Sequence, residues 1–557
     1  MFTENVRETI ETVNDRSTIN KLKCILDDLN TQYEKLKADI ILPETRAKKS
    51  KELPVETFLD INEVILRNIF QTNINKDLVI RRFRLSDGQT EVIAAAVEGL
   101  SDKKLIDTVV IRPLISTEKE LLSVNPTEFE RLVSNVIPGN QVTIVSEFSK
   151  ISAGLLNGDT AIFINGMNAA ILVDTRGGES RGPERPQIEA TIRGSQVAFT
   201  EGIRTNTGLI RSNMRSNDLV TEMVEIGEQS ITLCAIMYLQ SVANKQLIAE
   251  VKKRVQSIKV DHVAGSGALE LSICDHPLIP LPQALSTERP DRVVSHLAEG
   301  RVAIIVDGDP FVLIVPFQFF GFFHTSEDFN IQTFLASFSR IFRLGGVFLA
   351  CTLPGTYLAI SYFHPEALPT DLVLAIAGAR ERVPFPAIIE VLLMELSFEL
   401  IREAGARIPG VLGSTIGIVG AIIIGQAAVT ANLVSPISVV IVAVTGLASF
   451  TIPDYRVSLA IRIARYLYIL IGYSIGLVGI AIGILSSLGV LTFMKSFGVP
   501  YTAPVAPKTT PGFDTVFRGP VYLQERRPDE LNTQVKYRQP EVSRGWIRKQ
   551  NNGEGDS

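Results

Sequence analysis

The sequence is poor in the residues that build covalent and metal frameworks. Its four cysteines, Cys24, Cys234, Cys274 and Cys351, lie far apart among 557 residues, without a CxxC pair. That spacing argues against a disulfide scaffold or a thiolate zinc site and fits a reducing compartment for the soluble part. The five histidines, His262, His276, His296, His324 and His364, show no metal-ligand spacing. GxxxxGK[ST], HExxH and GxSxG are all missing, so the chain offers no catalytic set, no cofactor site and no metal site. Asp261-His262 and Asp275-His276 read as surface turns, and Gly265-Ser-Gly267 lacks the Lys-Ser/Thr that a phosphate loop needs. Only 21% of residues are charged and the net charge is -5, which gives no basic surface for nucleic acid. The N-terminus, MFTENVRETIETVND, is polar and acidic and carries no cleaved signal peptide.

What is present is apolar residues in two kinds of pattern, with a mean hydropathy of +0.21. Residues 1–54 read as an amphipathic helical arm followed by a proline-bounded polar linker from Pro43 to Pro54. Residues 55–175 alternate helical patterns with short apolar runs such as Val142–Val145 and Ala161–Ile164, the mark of an α/β or α+β subdomain. The segment Arg176–Pro186, rich in Gly, Pro and charge, separates it from a second such subdomain at 187–305. There, Ser230–Tyr238 and Val302–Val306 read as strands, Asn244–Ile258 as a helix, and Asp307-Gly308 as a hairpin turn.

From 310 to 500 the character changes. Leu344–Phe363, Val411–Ala431, Leu433–Ile452 and Leu467–Thr492 are runs of about 20 residues or more without a charged side chain, enough to cross a ~30 Å hydrocarbon core. Arg340 and Arg343 precede the first span while His364, Glu366 and Asp371 follow it, which places the N-terminal region in the cytoplasm. Four spans leave Arg456, Arg462 and Arg465 on the outer side, against the charge rule. A further crossing at Pro384–Arg402 repairs that defect but changes the parity. Residues 501–557 form a polar C-terminal tail. The fold class expected is therefore multidomain: a cytoplasmic α/β region of two subdomains, then an all-α polytopic membrane domain.

Within Pro384–Glu403, Glu395, Glu399, Arg402 and Glu403 fall within about 100° of one another on a helix. Two readings stand: an interfacial amphipathic helix with its acids in water, or a bundle helix whose acids face a water-filled path or pair with Arg402. In Val411–Ala431, Gly413, Gly417, Ala421 and Gly425 recur every four residues, a small-residue stripe for close helix approach, while Thr415, Gln426 and Thr430 lie roughly opposite. Gly472/Gly476 and Gly479/Gly483 repeat the device, and Pro354-Gly355 suits a kink.

Several segments resemble the A-subunit family of bacterial spore germinant receptors. They are Thr200-Glu-Gly-Ile-Arg-Thr-Asn-Thr-Gly-Leu-Ile-Arg211, Thr287-Glu-Arg-Pro-Asp291, Glu299–Gly308, Leu353-Pro-Gly-Thr-Tyr357, Pro384-Phe-Pro386 with the acidic helix to Gly405, Ala448–Pro453 and Ser496–Tyr501. The resemblance runs from about Val97 to Pro507, in family order. It implies a non-enzymatic subunit of a nutrient receptor in the spore inner membrane. It also implies a transporter-like B subunit and a lipoprotein C subunit as partners, and oligomerisation of A subunits into an ion-conducting path. The rival readings are a secondary transporter that moves substrate itself and a non-conducting membrane scaffold.

Overall fold

Leu59, Ile65, Leu66 and Ile69 recur at helical spacing and bury one face of helix α1 (Leu59–Ile69), the first element of the computed structural model, which describes residues 53–86, 88–116, 136–138, 141–177, 185–407, 425–509 and 514–539. Most of the arm and linker at 1–54, the Arg176–Pro186 separator in large part, and Gly413, Gly417 and Ala421 lie outside the described residues.

The first sheet contains β1 (Leu78–Arg84), β2 (Glu91–Val97), β3 (Val142–Val145), β4 (Thr160–Ile164) and β5 (Ala170–Val173) in the order β1-β2-β4-β5-β3. Every pairing is antiparallel. Successive residues of β4 and β5 face opposite sides, and both sides are covered. Ala161, Phe163 and Leu172 join a core with α1 and α2 (Phe148–Asn157), while Ile162, Ile164 and Ile171 join another with Val110 and Leu114. Double coverage is why these strands read as unbroken apolar runs rather than alternating ones.

The second sheet repeats that topology. Helix α3 (Ile203–Asn213) precedes β6 (Leu219–Ile226) and β7 (Thr232–Leu239); then come α4 (Lys245–Gln256), α5 (Ser266–Ile273), β8 (Leu285–Thr287), α6 (Pro290–Glu299), β9 (Val302–Val306) and β10 (Val312–Val315). The strand order is β6-β7-β9-β10-β8, again antiparallel throughout. Gly308, with φ of 84°, sits in the turn between β9 and β10, where Asp-Gly supports a positive φ.

Helix α3 joins the two sheets. Arg211 is fully buried and bonds Asp77 through Nε at 2.9 Å, and Arg204 reaches Glu98 at 3.0 Å. The backbones of Gly99 and Gly208 touch, so a Cβ on Gly208 would overlap the Gly99 carbonyl. Asn206 closes the approach to α3 by accepting from Thr200 N at 2.8 Å and donating to Thr200 O at 2.6 Å. The motif residues Glu288 and Arg289 hold the segment that leads into it. The Glu288 carboxylate accepts the amides of Ile188 and Glu189, each at 2.7 Å, and buried Arg289 donates to Ser195 O at 3.0 Å and pairs with Asp291 at 2.8 Å.

The remaining helices are α7 (Thr333–Phe363), α8 (Thr370–Arg380), α9 (Ala387–Arg407), α10 (Pro436–Phe450), α11 (Tyr455–Ile475) and α12 (Leu477–Phe493). Among the described residues, α7 and α11 are long and apolar enough to cross a membrane, and α10 and α12 are apolar but shorter. The face of the second sheet that includes Ala235, Ile305 and Ile314 shares one core with Ala350, Ala448, Val457, Ile461 and Met494, so this sheet sits against the helices.

The run Leu467–Thr492, expected as one span, is two helices. Gly476 has φ of 73°, a conformation that costs glycine little, and there the chain turns back. Gly479 then meets Ile471, and Gly483 meets Tyr468, whose hydroxyl lies 2.9 Å from Ser487 Oγ, so α12 runs antiparallel to α11. Gly472 lies backbone to backbone against Gly355 of α7. Gly472 serves the close approach read from the sequence, and its partner is Gly355, which the sequence marks only for a kink with Pro354.

Candidate functional site

Helix α9 carries Glu390 and Glu395 where water is excluded, whereas Glu399 is part-buried and Glu403 exposed. Glu395 is 1% exposed, and its Oε2 lies 2.5 Å from Nη1 of Arg465 on α11. Three residues back on α11, Arg462 pairs with Glu399, one turn on along α9. The antiparallel course of the two helices brings the i, i+4 acids opposite the i, i+3 arginines. Arg402 lies 3.8 Å from Glu399, donates to Ser449 Oγ at 2.9 Å, and stacks over Phe398 and Phe450 at 5.0 and 4.8 Å from the ring centres.

A proline helps to hold the innermost pair. Pro354 has no N–H, so the Ala350 carbonyl one turn earlier loses its helical donor. Arg465 Nε donates to that carbonyl at 2.7 Å. The guanidinium is thus held from both sides, by a carboxylate on α9 and by a backbone acceptor freed on α7.

Glu395 Oε1, Arg402 Nε, Arg462 Nε and Arg465 Nη2 are buried without a hydrogen-bond partner. Glu390, a turn before Glu395, is also buried; it accepts from Ser435 N at 2.9 Å and Ser438 Oγ at 3.1 Å, and Arg380 lies 3.4 Å away. It thereby caps α10.

Of the residues singled out in the sequence, Glu395, Glu399 and Arg402 come together, but the principal cations are not the expected ones. Glu395 pairs with Arg465 and Glu399 with Arg462, whereas the sequence pattern pointed to Arg402. Arg462 and Arg465, read as charges outside a span, are 5% and 1% exposed inside α11. Their spacing of three residues was the available signal, since it puts both on one helix face. Gln426 is exposed, and Gly425 is buried opposite Val439 of α10. Among the described residues no group of three or more His, Cys, Asp or Glu is placed to hold a metal ion.

A second charged cluster ties the start of α7 to its surroundings. Asp328 pairs with Arg343 at 2.8 Å and Arg340 at 3.3 Å, and Arg340 reaches Asp514 at 2.6 Å. Burial pushes the Asp328 carboxyl up, but the bond and charge of Arg343, the Thr325 amide and the charge of Arg340 together outweigh it and hold the group below the usual carboxylate range. His324 donates to Thr515 O at 2.7 Å; burial first, then the charge of Arg340, lowers it to about 4.

Two antiparallel α/β sheets, the second packed on an apolar helical region that carries Arg–Glu pairs between its helices, define a two-sheet module joined to a charge-bearing helical bundle. The family model described as Bacillus/Clostridium GerA spore germination protein matches residues 64–530. This chain belongs to that family. Spore germination protein KA of Bacillus subtilis (strain 168) is 36% identical over 511 residues, covering 90% of this chain and 93% of its own. Spore germination protein GerLA of Bacillus cereus is 38% identical, over 82% of this chain and 92% of its own. A Bacillus subtilis (strain 168) relative named uncharacterized membrane protein YfkQ is 36% identical over 81% of this chain. A crystal structure of the N-terminal domain of the A subunit of the Bacillus megaterium spore germinant receptor GerK3 aligns at 27% identity and a TM-score of 0.39, covering 48% of this chain and 98% of that one.

Proposed function

We propose that this chain is a non-enzymatic A subunit of a nutrient germinant receptor in the spore inner membrane, and that its bundle contributes an ion-conducting path. The observation that carries the reading is the charged seam between α9 and α11, where Glu395 and Arg465 pair fully buried among apolar helices and Glu399 pairs with Arg462 at its more open end. Ionisable groups inside a membrane bundle are costly, and pathways for ions and protons are among the uses that retain them. A network of paired charges among helices has a second arrangement within reach, in which water or an ion takes the place of one partner. Nutrient occupancy elsewhere in the complex shifts that balance, and ions then flow.

In this reading the two sheets are the cores of cytoplasmic subdomains at 55–175 and 187–305, the membrane domain spans 310–500, and 501–557 is the tail. The chain crosses on α7, α9, the Val411–Ala431 run, α10, α11 and α12. The turn at Gly476 adds the crossing that returns the tail to the cytoplasm. Arg462 and Arg465 then need no loop, because their charges are balanced within the bundle. The Gly413/Gly417/Ala421/Gly425 stripe forms a helix contact. Further copies of this chain, a transporter-like B subunit and a lipoprotein C subunit complete the receptor.

The test is nutrient-triggered cation release from spores carrying Glu395→Gln, Glu399→Gln or both, at matched receptor abundance. Altered flux or ion selectivity is expected. Normal release in all three would remove the ion-path assignment, and uptake of nutrient by the reconstituted subunit would favour a transporter.

A further inference from the structure

The sequence His276-Pro-Leu-Ile-Pro-Leu-Pro282 forms a loop between α5 and β8 that contains no Asp, Glu, Lys or Arg. Its outermost side chain, Leu278, is 96% exposed, and Leu271 on α5 beside it is 69% exposed. Leu271, Pro277, Ile279 and Leu281 line one shallow cavity, whose wall also carries the Glu270–Arg456 ion pair. A lone exposed leucine is ordinary on a protein surface; the apolar patch here is the charge-free loop, Leu271 and the cavity wall taken together.

The place of the loop in the fold says what it meets. The His276 ring packs 5.4 Å from Phe493, the last residue of α12, itself 70% exposed. Both ends of the loop are tied to the strand that follows α12. Asp275 accepts from Phe497 N at 2.6 Å, Ser496 Oγ donates to Gln283 O at 2.7 Å, and Tyr501 OH donates to Pro282 O at 2.7 Å. The loop is therefore fixed at the level where the apolar helix ends and the second sheet begins.

Its backbone suits a medium short of water. Pro277, Pro280 and Pro282 have no N–H to satisfy, His276 N donates to Gln283 Oε1 at 3.1 Å, and Ile279 N donates to His276 O at 3.3 Å. Proline also limits the freedom lost when the loop is immobilised. An irregular segment can enter the outer edge of a bilayer only if few of its donors go unpaired.

We propose that the 276–282 loop inserts into the headgroup–acyl boundary of the bilayer, with Leu278 and Leu271 as its anchors, and so seats the second sheet on the membrane. This rests on the reading of α7–α12 as a membrane domain, and it adds a lipid contact made by the soluble module.

The test places a single tryptophan in the full-length chain, with Trp546→Phe as background, reconstituted into phosphatidylcholine vesicles brominated near the upper part of the acyl chains. Three probes are compared: Leu278→Trp in the loop, Leu485→Trp on the exposed face of α12, and Phe58→Trp, 65% exposed beside the first sheet. Leu278→Trp and Leu485→Trp should be quenched by bromolipid and emit to the blue of Phe58→Trp, which should stay unquenched. Quenching at Leu485 with Leu278 behaving like Phe58 overturns the loop assignment and leaves the membrane reading standing. Quenching at neither position overturns both. Protection of Leu278→Trp from aqueous acrylamide without bromolipid quenching assigns the loop to a contact with a second copy and also overturns the proposal.

Discussion

The Glu395–Arg465 bridge can be weighed by removing its partners separately and together. With Glu395→Leu, the Arg465 guanidinium stays buried, its side chain only 2% exposed, with the Ala350 carbonyl as its remaining bonded acceptor. With Arg465→Met, a carboxylate that is 1% exposed loses its cation. Breaking a buried pair from either side costs about 3–5 kcal/mol, because an uncompensated charge is left without water. The double variant removes both charges and leaves apolar groups of similar bulk, so it should return to within about 1 kcal/mol of the parent or exceed it. Neither loss should add to the other, and the coupling energy should be of the same size as one single loss. An internal reference is the Arg81–Asp107 pair at 3.5 Å, both side chains more than half exposed; Asp107→Asn should cost under about 1 kcal/mol. The assay is reversible unfolding of the full-length protein in mixed detergent micelles, followed by circular dichroism. Single variants as stable as the parent, or a double variant with the summed loss, would refute the argument that these two side chains hold each other.

Three further outcomes are expected. Gly472→Ala should destabilise by about 1–3 kcal/mol, because its Cβ would overlap the Gly355 carbonyl, whereas Gly489→Ala, with nothing within 4 Å, should be neutral or stabilising; equal effects in the same unfolding assay would remove the close contact. Because His324 is lowered to about 4, the unfolded chain binds a proton between pH 6.5 and 4 that the folded chain refuses, so stability is full above 6.5 and falls as pH falls through that window. The gap sets a ceiling of roughly 3 kcal/mol, reduced to on the order of 2 by partial exposure, and a melting curve for His324→Gln that kept the same slope over this window would count against it. Finally, a cysteine at exposed Arg185 should resist an impermeant thiol reagent in intact cells and react after permeabilisation; labelling without permeabilisation would invert the proposed orientation.

Much of the local structure follows from the order of residues alone. Val142–Val145 and Val302–Val306 are strands, Asn244 caps the helix Lys245–Gln256, and Asp307-Gly308 begins the turn between two paired strands, because period-two and period-3.6 patterns and turn residues act over a few positions. The two Arg–Glu pairs were legible only in part. The acidic stripe on Glu395 and Glu399 was visible, but their cations stand 70 and 63 positions away, and no local rule selects a partner at that distance.

The sequence by itself determined which segments are apolar, which face of α9 is acidic, and that small residues recur where helices meet. The tertiary structure alone decided that Gly476 turns an expected single span into a hairpin, because a positive φ at one residue carries weight only when the helices on either side pack, here through Tyr468 and Gly483. It also decided that Arg462 and Arg465 face inward. A charge in an apolar run is compatible with either side of a helix until a carboxylate and a carbonyl freed by Pro354 arrive to meet it, and those come from two other helices.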